Sequence, residues 1–312
     1  MKEIITDRYS LYNGDSVEVA AQLPDNSVHL EIFSPPFANL YIYSDDLRDM
    51  GNCKNKEEFF ESMDFLTPNL YRILMPGRLC VVHCKQIARY KGRDGAAGWD
   101  DFRGDVIRHF EKHGFQYHSE VVIWTDPVLE MQKTKTQRLL YCNLRKDASV
   151  TGIGMPEYLC IFRKTPNEDD ETVPIRHYKS EDDAANLGGD AVQVIDLPMW
   201  QRYASPVWFD ISRTDVLNGR IARTDRDEKH ICPLQLETIR RAVKLWSNTN
   251  EIVFSPFGGI GSEPYVALEQ KRRAIAVELK EAYFDQMATY CAEIVKEQEV
   301  PTLFDLLEGG GD

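Results

Sequence analysis

Residues 253–279 read VFSPFGGIGSEPYVALEQKRRAIAVEL, and their pattern decides the fold class. An apolar strand enters a turn carrying Gly258, Gly259 and Gly261, SEPYVALEQKR then has helical spacing, and RAIAVEL is a second strand with an acid, Glu278, at its end. Strand, helix and strand in this order form a βαβ unit, whose two strands must lie parallel with a right-handed crossover. The chain is therefore expected to be α/β, a Rossmann-like, mostly parallel sheet with helices on both faces.

The same alternation runs outward from this unit. Upstream, PLQLETIRRAVKLWS is an amphipathic helix. In the first half, SVEVAAQLP suits a short helix and VHLEIF a strand. KEEFFESMDFLTPNLYRILM carries apolar residues at three-to-four spacing, is stopped by Pro76 and Gly77, and is followed by the buried strand RLCVVHC. DFRGDVIRHFEKHG, YHSEVVIW and EYLCIFRK read as helix, strand and strand. From Thr165 to about Lys229 periodicity fails in an acidic stretch with aromatic islands, which marks an insertion. Trp200, Tyr203 and Trp208 there read as the core of a small subdomain rather than as a base-stacking platform.

The turn at 258–261 suits a ligand with a ribose and a polar tail. Glycines allow close backbone approach, and a carboxylate at the end of the next strand can accept both ribose hydroxyl protons. A tight strand-to-helix connection alone would also place glycines here. A dinucleotide is disfavoured because the turn is not Gly-x-Gly-x-x-Gly, and a nucleoside triphosphate because no Gly-Lys-Ser/Thr follows. An adenosyl cofactor remains the best fit.

Composition sets the outer limits. The 312 residues are 43% hydrophobic, enough for one large domain with an insertion or for two modest domains. No apolar run approaches the roughly 20 residues of a membrane span, and the opening MKEIITDRYS holds no apolar segment resembling a signal peptide, so a cytoplasmic location and no membrane partner are expected. Seven cysteines without a Cys-x-x-Cys pair argue against disulfides and a structural zinc site, and no metal is expected. Fifty acids against 37 bases give a net charge of −13, so a nucleic acid would have to meet a local basic surface.

A second motif stands early in the chain: IFSPPFANL, residues 32–40. Pro35 and Pro36 cannot continue a ladder or a helix, so the strand ends on a rigid ledge of Ser34, Pro35, Pro36 and Phe37. SPPF early and FSPFGGIGS late resemble the β-class of S-adenosylmethionine-dependent DNA amino-methyltransferases, in which the catalytic half precedes the cofactor half. The resemblance covers most of the chain outside 165–228. GDSVEVAAQLPDNSVHLEIFSPPF is similar to the family's opening stretch, which implies that Asp15 lies near the cofactor adenine. LYRILMPGRLCVVH is similar to its helix, turn and next strand. EKHICPLQLETIRRAV is similar to the segment packing around the methionine end, which implies Lys229, His230 and Pro233 there. Ser255, Pro256, Phe257, Gly258, Gly259, Gly261, Ser262 and Glu278 complete the implied cofactor site. The chain departs from the family at Ser255, where an aspartate is usual, and at His29, where an acid is common.

The resemblance implies a mechanism for the ledge. An exocyclic base amine is a weak nucleophile because its lone pair is delocalised. Ser34 Oγ and the Pro35 carbonyl can accept its protons while Phe37 stacks on a base flipped out of duplex DNA, and the methyl passes by direct displacement. Ring-carbon methylation would need a Pro-Cys nucleophile, which the chain lacks. Ser34 is compatible with cytosine N4 and with adenine N6, and both targets stay open. An RNA or small-molecule methyltransferase and an idle nucleic-acid binder are the rival readings.

For DNA contact, Lys133, Lys135, Arg138, Arg145 and Lys146 gather in one segment and Lys91 and Arg93 in another, where a solvated charged loop is the plainer alternative. The expected organisation is a catalytic half at 1–164, an inserted target-recognition subdomain at 165–228, a cofactor half at 229–292 and an acidic tail at 293–312. Leu303, Phe304 and Leu307 in that tail form an apolar hook that either frays or docks on a partner. A homodimer and a restriction-modification or phage setting are compatible with the resemblance.

Overall fold

Every central strand presents apolar side chains to both sides, so helices must cover both faces of the sheet. The structure, a computed structural model, describes residues 2–36, 50–134, 139–218 and 233–299. Its first half runs β1 (Lys2–Ile5), β2 (Tyr9–Asn13), α1 (Ser16–Gln22), β3 (Val28–Phe33), α2 (Lys56–Ile73), β4 (Leu74–Lys85), β5 (Ile87–Arg89), α3 (Lys91–Asp94), β6 (Gly98–Asp100), α4 (Phe102–Lys112) and β7 (Gln116–Ile123). There follow α5 (Pro127–Thr134), α6 (Tyr141–Lys146), β8 (Glu157–Arg163), α7 (Glu181–Asn186), α8 (Leu197–Tyr203) and β9 (Val207–Trp208). The last part is α9 (Leu236–Trp246), β10 (Ile252–Ser255), α10 (Ser262–Glu269), β11 (Arg273–Glu278) and α11 (Glu281–Glu299).

The main sheet has the order β1-β2-β11-β10-β3-β4-β8-β7-β9, and β5 pairs with β6 in a separate hairpin. Strands β2, β11, β10, β3 and β4 are mutually parallel. β8 is antiparallel to both β4 and β7, so β4 and β7 end at the same edge. Alternation along the strands divides the core. Leu79 and Val81 of β4, with Leu159 and Ile161 of β8, face the side covered by α9, α10 and α11. Cys80, Val82 and Cys84, with Cys160 and Phe162, face α1, α2 and α4. Side-chain caps fix the helix starts beside the strands: Asp15 accepts from Val17 N–H, Asn55 from Glu58 N–H and Asp101 from Gly104 N–H.

The connectivity makes a crevice. From β10 the chain passes through α10 to β11 on one side, and from β3 through α2 to β4 on the other. β10 and β3 are themselves neighbours, pairing Val253 with Leu30 and Phe254 with Glu31. Where the winding direction reverses, the strand ends are left open to a ligand.

Two details differ from the sequence reading. Pro76 and Gly77 do not lie between α2 and the next strand. α2 stops at Ile73 and both residues sit inside β4, in a bulge where the pairing of β3 jumps from Leu74 to Leu79, with Gly77 at φ +80°. The aromatic island of 165–228 does not make a core of its own. β9 pairs in parallel with β7, matching Ile123 with Trp208, and buries Trp208 in the main core, whereas Trp200 is 54% exposed. No helix among the described residues is long and apolar enough to cross a membrane.

Candidate active site

Because β3 and β10 are paired, the turns that leave them emerge side by side. Phe33, the last residue of β3, lies with its ring 5.7 Å from that of Phe257, the planes tilted at 60°. The two motifs singled out from opposite ends of the chain are thus brought together. Ser34 is half-buried and Pro35 buried at the end of β3. Phe37, the fourth residue of the ledge, lies outside the described residues.

The glycine turn is held from several sides. Gly258 N–H donates to the Val277 carbonyl at 2.7 Å, and Gly261 N–H to Gly258 at 2.8 Å. Glu278, at the end of β11, accepts from Gly259 N–H at 2.8 Å and from Lys280 N–H at 2.9 Å. The N-terminal end of α1 closes the same region. Gly14 N–H donates to the Glu278 carbonyl, the Asn13 amide to the carbonyls of Glu278 and Leu279, and the Ser16 hydroxyl to that of Pro256. Asp15, the cap of α1, is therefore carried to the rim of the turn.

The glycines do different work. A Cβ on Gly258 would stand 2.8 Å from Met287 Sδ and 3.2 Å from the Val277 carbonyl, and one on Gly261 would stand 3.0 Å from the Met287 backbone. Their smallness admits helix α11. Gly259, at φ +53°, would meet nothing within 4 Å, so its side faces open space. Ser255 Oγ, buried at the end of β10, has no hydrogen-bond partner among the described residues. A buried orphan hydroxyl, an open glycine and a carboxylate at the next strand end fit an adenosyl ligand. Glu263, in the first turn of α10, is buried beside them. Burial raises its carboxyl most and the Glu278 charge adds to the rise, to a pKa of about 8 against a partial offset from its own backbone N–H.

Beside the ledge stands a chain of polar groups that the sequence reading did not single out. The register of β3 on β4 pairs Phe33 with Val82, which sets Ser34 against His83. Ser34 Oγ is 2.8 Å from His83 Nδ1, and His83 Nε2 is 3.3 Å from Glu157 Oε2. Burial alone would raise the Glu157 carboxyl. The His83 hydrogen bond and charge, with Lys85 of β4 and Arg213, hold it instead at a pKa of about 2. Arg213 lies 3.5 Å from Glu157, and Lys85 also meets Glu130 of α5 at 2.6 Å. The one available signal was a polar residue closing the apolar run of RLCVVHC.

Of the basic residues, Lys91 and Arg93 are exposed on α3 and Arg145 and Lys146 on α6. Arg93 is partly engaged, with Nε on Asp94 at 2.9 Å and its guanidinium over the Tyr90 ring. Lys133 falls in the last turn of α5, while Lys135, Arg138, Lys229, His230 and the 301–307 hook lie outside the described residues. Pro233 stands half-buried before α9. One set of metal-capable groups occurs among the described residues, Asp64, His109 and His113. Its carboxylate is taken by Lys112 at 2.8 Å on both oxygens and by His113 at 2.6 Å, which makes an ion-pair cluster.

Comparison with known proteins agrees with this geometry. The chain is 27% identical over 286 residues to the type II methyltransferase M.BglII of Bacillus subtilis, covering 88% of this chain and 66% of that one, just under two thirds of its length. It is 24% identical to M.MjaI of Methanocaldococcus jannaschii, covering 88% of each. Its fold matches TTHA0409 of Thermus thermophilus complexed with S-adenosyl-L-methionine, with TM-score 0.63 at 22% identity over 92% of this chain and 96% of that one. It also matches the cytosine-N4-specific PvuII DNA methyltransferase, with TM-score 0.59 at 17% identity over 93% and 91%. The DNA methylase family N6_N4_Mtase matches residues 28–289, spanning both the Ser-Pro-Pro ledge and the glycine turn, and the chain belongs to this DNA methylase family.

Proposed function

We propose that this chain methylates an exocyclic amine, N4 of cytosine or N6 of adenine, of a base turned out of duplex DNA. The observation that carries the reading is the adjacency of the two turns at the β3 and β10 ends, marked by the Phe33–Phe257 contact. Bound S-adenosylmethionine supplies a methyl group on a positively charged sulfur. Ser255, Gly259 and Glu278 would hold it, with Asp15 at the adenine side and Lys229, His230 and Pro233 at the methionine side. Ser34 Oγ and the Pro35 carbonyl accept the amine protons, drawing the nitrogen toward tetrahedral geometry, and the two prolines keep that pair of acceptors fixed.

DNA would lie across the strand edge that holds the site. β4 and β7 both end there, and the segments that follow them carry Lys91, Arg93, Arg145 and Lys146. These side chains neutralise phosphates locally in a molecule whose net charge is −13. Residues 165–228 would read the target. Homodimer formation, docking through the tail and a cytoplasmic, restriction-modification setting belong to the same proposal.

The test is paired. Ser34→Ala is expected to bind S-adenosylmethionine by calorimetry as wild type does, yet to lose at least about a hundredfold in single-turnover methyl transfer. Turnover retained in that variant would remove Ser34 from the chemistry.

A further inference from the structure

We propose that Ser34, His83 and Glu157 form a proton relay that carries the surplus proton away from the methylated amine, with His83 as the accepting base. The inference rests on the reading of Ser34 as the contact to the base amine, and it adds where the proton goes.

The distances fix the tautomer. Glu157, with Lys85 of β4 and Arg213 beside it, stays ionised near neutrality even against an uncharged imidazole and can only accept. His83 Nε2, 3.3 Å from its oxygen, must therefore carry the hydrogen. In the neutral ring Nδ1 is then the bare nitrogen. The 2.8 Å contact to Ser34 Oγ is made by the serine hydroxyl donating to Nδ1. That direction leaves the oxygen lone pairs of Ser34 facing outward, free to accept a proton from an amine. The opposite tautomer would set two lone pairs against each other at Glu157 and turn Ser34 into a poorer acceptor.

The step balances. As the amine nitrogen forms its bond to the methyl carbon, the electron pair of the carbon–sulfur bond leaves with sulfur, and the nitrogen is left with one positive charge. It gives one proton to Ser34 Oγ while the serine's own proton passes to His83 Nδ1, so the positive charge ends on an imidazolium paired with Glu157. Water takes the proton after the base departs. His83 and Lys85 of β4 and Arg213 face Glu157, and Glu130 of α5 neutralises Lys85, so the net charge around the carboxylate is left near balance before the proton arrives. Glu157 is a positioning residue, since it acts through His83.

The experiment has two arms. In the ligand-free protein, imidazole nitrogen chemical shifts assigned through His83→Gln are expected to show the Nε2–H tautomer, and to show a mixture in Glu157→Ala. Separately, His83→Ala is expected to bind S-adenosylmethionine normally, to lose at least about a hundredfold in single-turnover rate, and to regain about tenfold with added imidazole. An Nδ1–H tautomer in wild type, or a His83→Ala rate within about threefold of wild type, overturns the relay. Absence of methyl transfer by wild type itself would instead sink the underlying reading, and the tautomer arm would still decide the relay.

Discussion

Substituting Glu263 by glutamine tests whether the cofactor turn is built around a protonated carboxyl. Glu263 is 5% exposed, and its pKa in the folded chain is about 8 against an ordinary 4.5. The folded state therefore holds a proton that the unfolded state has released over the whole interval between these values. Stability is full below about pH 4.5 and falls as pH rises, by about 1.4 kcal/mol per pH unit, until the folded carboxyl ionises near pH 8. The interval corresponds to a loss on the order of 5 kcal/mol. Glutamine keeps the shape and removes the titration, so Glu263→Gln should match wild type at about pH 4.5 and exceed it by several kcal/mol at about pH 9. At this chain length roughly 2 °C in Tm goes with each kcal/mol, so a gap of about 10 °C should open across the range. Parallel urea and thermal melts of both proteins at stepped pH are the assay. A difference that stays flat with pH would refute the buried neutral carboxyl.

Three further outcomes are expected. Gly258→Ala should lose about 1–3 kcal/mol because its Cβ meets Met287 and the Val277 carbonyl, whereas Gly259→Ala, which meets nothing, should lose only the roughly 1 kcal/mol of a positive φ; equal melting losses would contradict the division of roles. Ser255→Ala removes a hydroxyl that has no partner among the described residues, so it should leave stability unchanged or slightly raised while weakening S-adenosylmethionine binding by about fivefold, read by calorimetry. Arg145→Ala with Lys146→Ala should weaken duplex binding on every sequence and reduce the slope of log affinity against log salt by about two, and an unchanged slope would remove α6 from the phosphate contacts.

The elements that repeat a local rule were legible in the sequence. The βαβ unit at 252–278 announces itself by apolar strands around a glycine turn, and the Ser-Pro-Pro ledge by residues that can only end a strand. What escaped depends on long-range register. His83 lies 49 positions from Ser34 and Glu157 lies 74 from His83, and only the pairing of β3, β4 and β8 joins them. Trp208 looked like a local aromatic cluster because nothing nearby in sequence says that a two-residue strand will join β7. Pro76 and Gly77 read as punctuation because a bulge uses the same residues as a turn. The reason for Gly258 was likewise hidden, since it is set by Met287 of α11 and not by a neighbour in the chain.

The central claim is that the donor cradle and the proline ledge act on one DNA amine. The most direct measurement is to incubate the protein with unmethylated duplex DNA and S-adenosylmethionine carrying a labelled methyl group, digest to nucleosides and identify the labelled species by mass spectrometry. Label in N4-methylcytosine or N6-methyladenine, lost with Ser34→Ala, is the expected result. Label in 5-methylcytosine, or none in any nucleoside, would contradict the account.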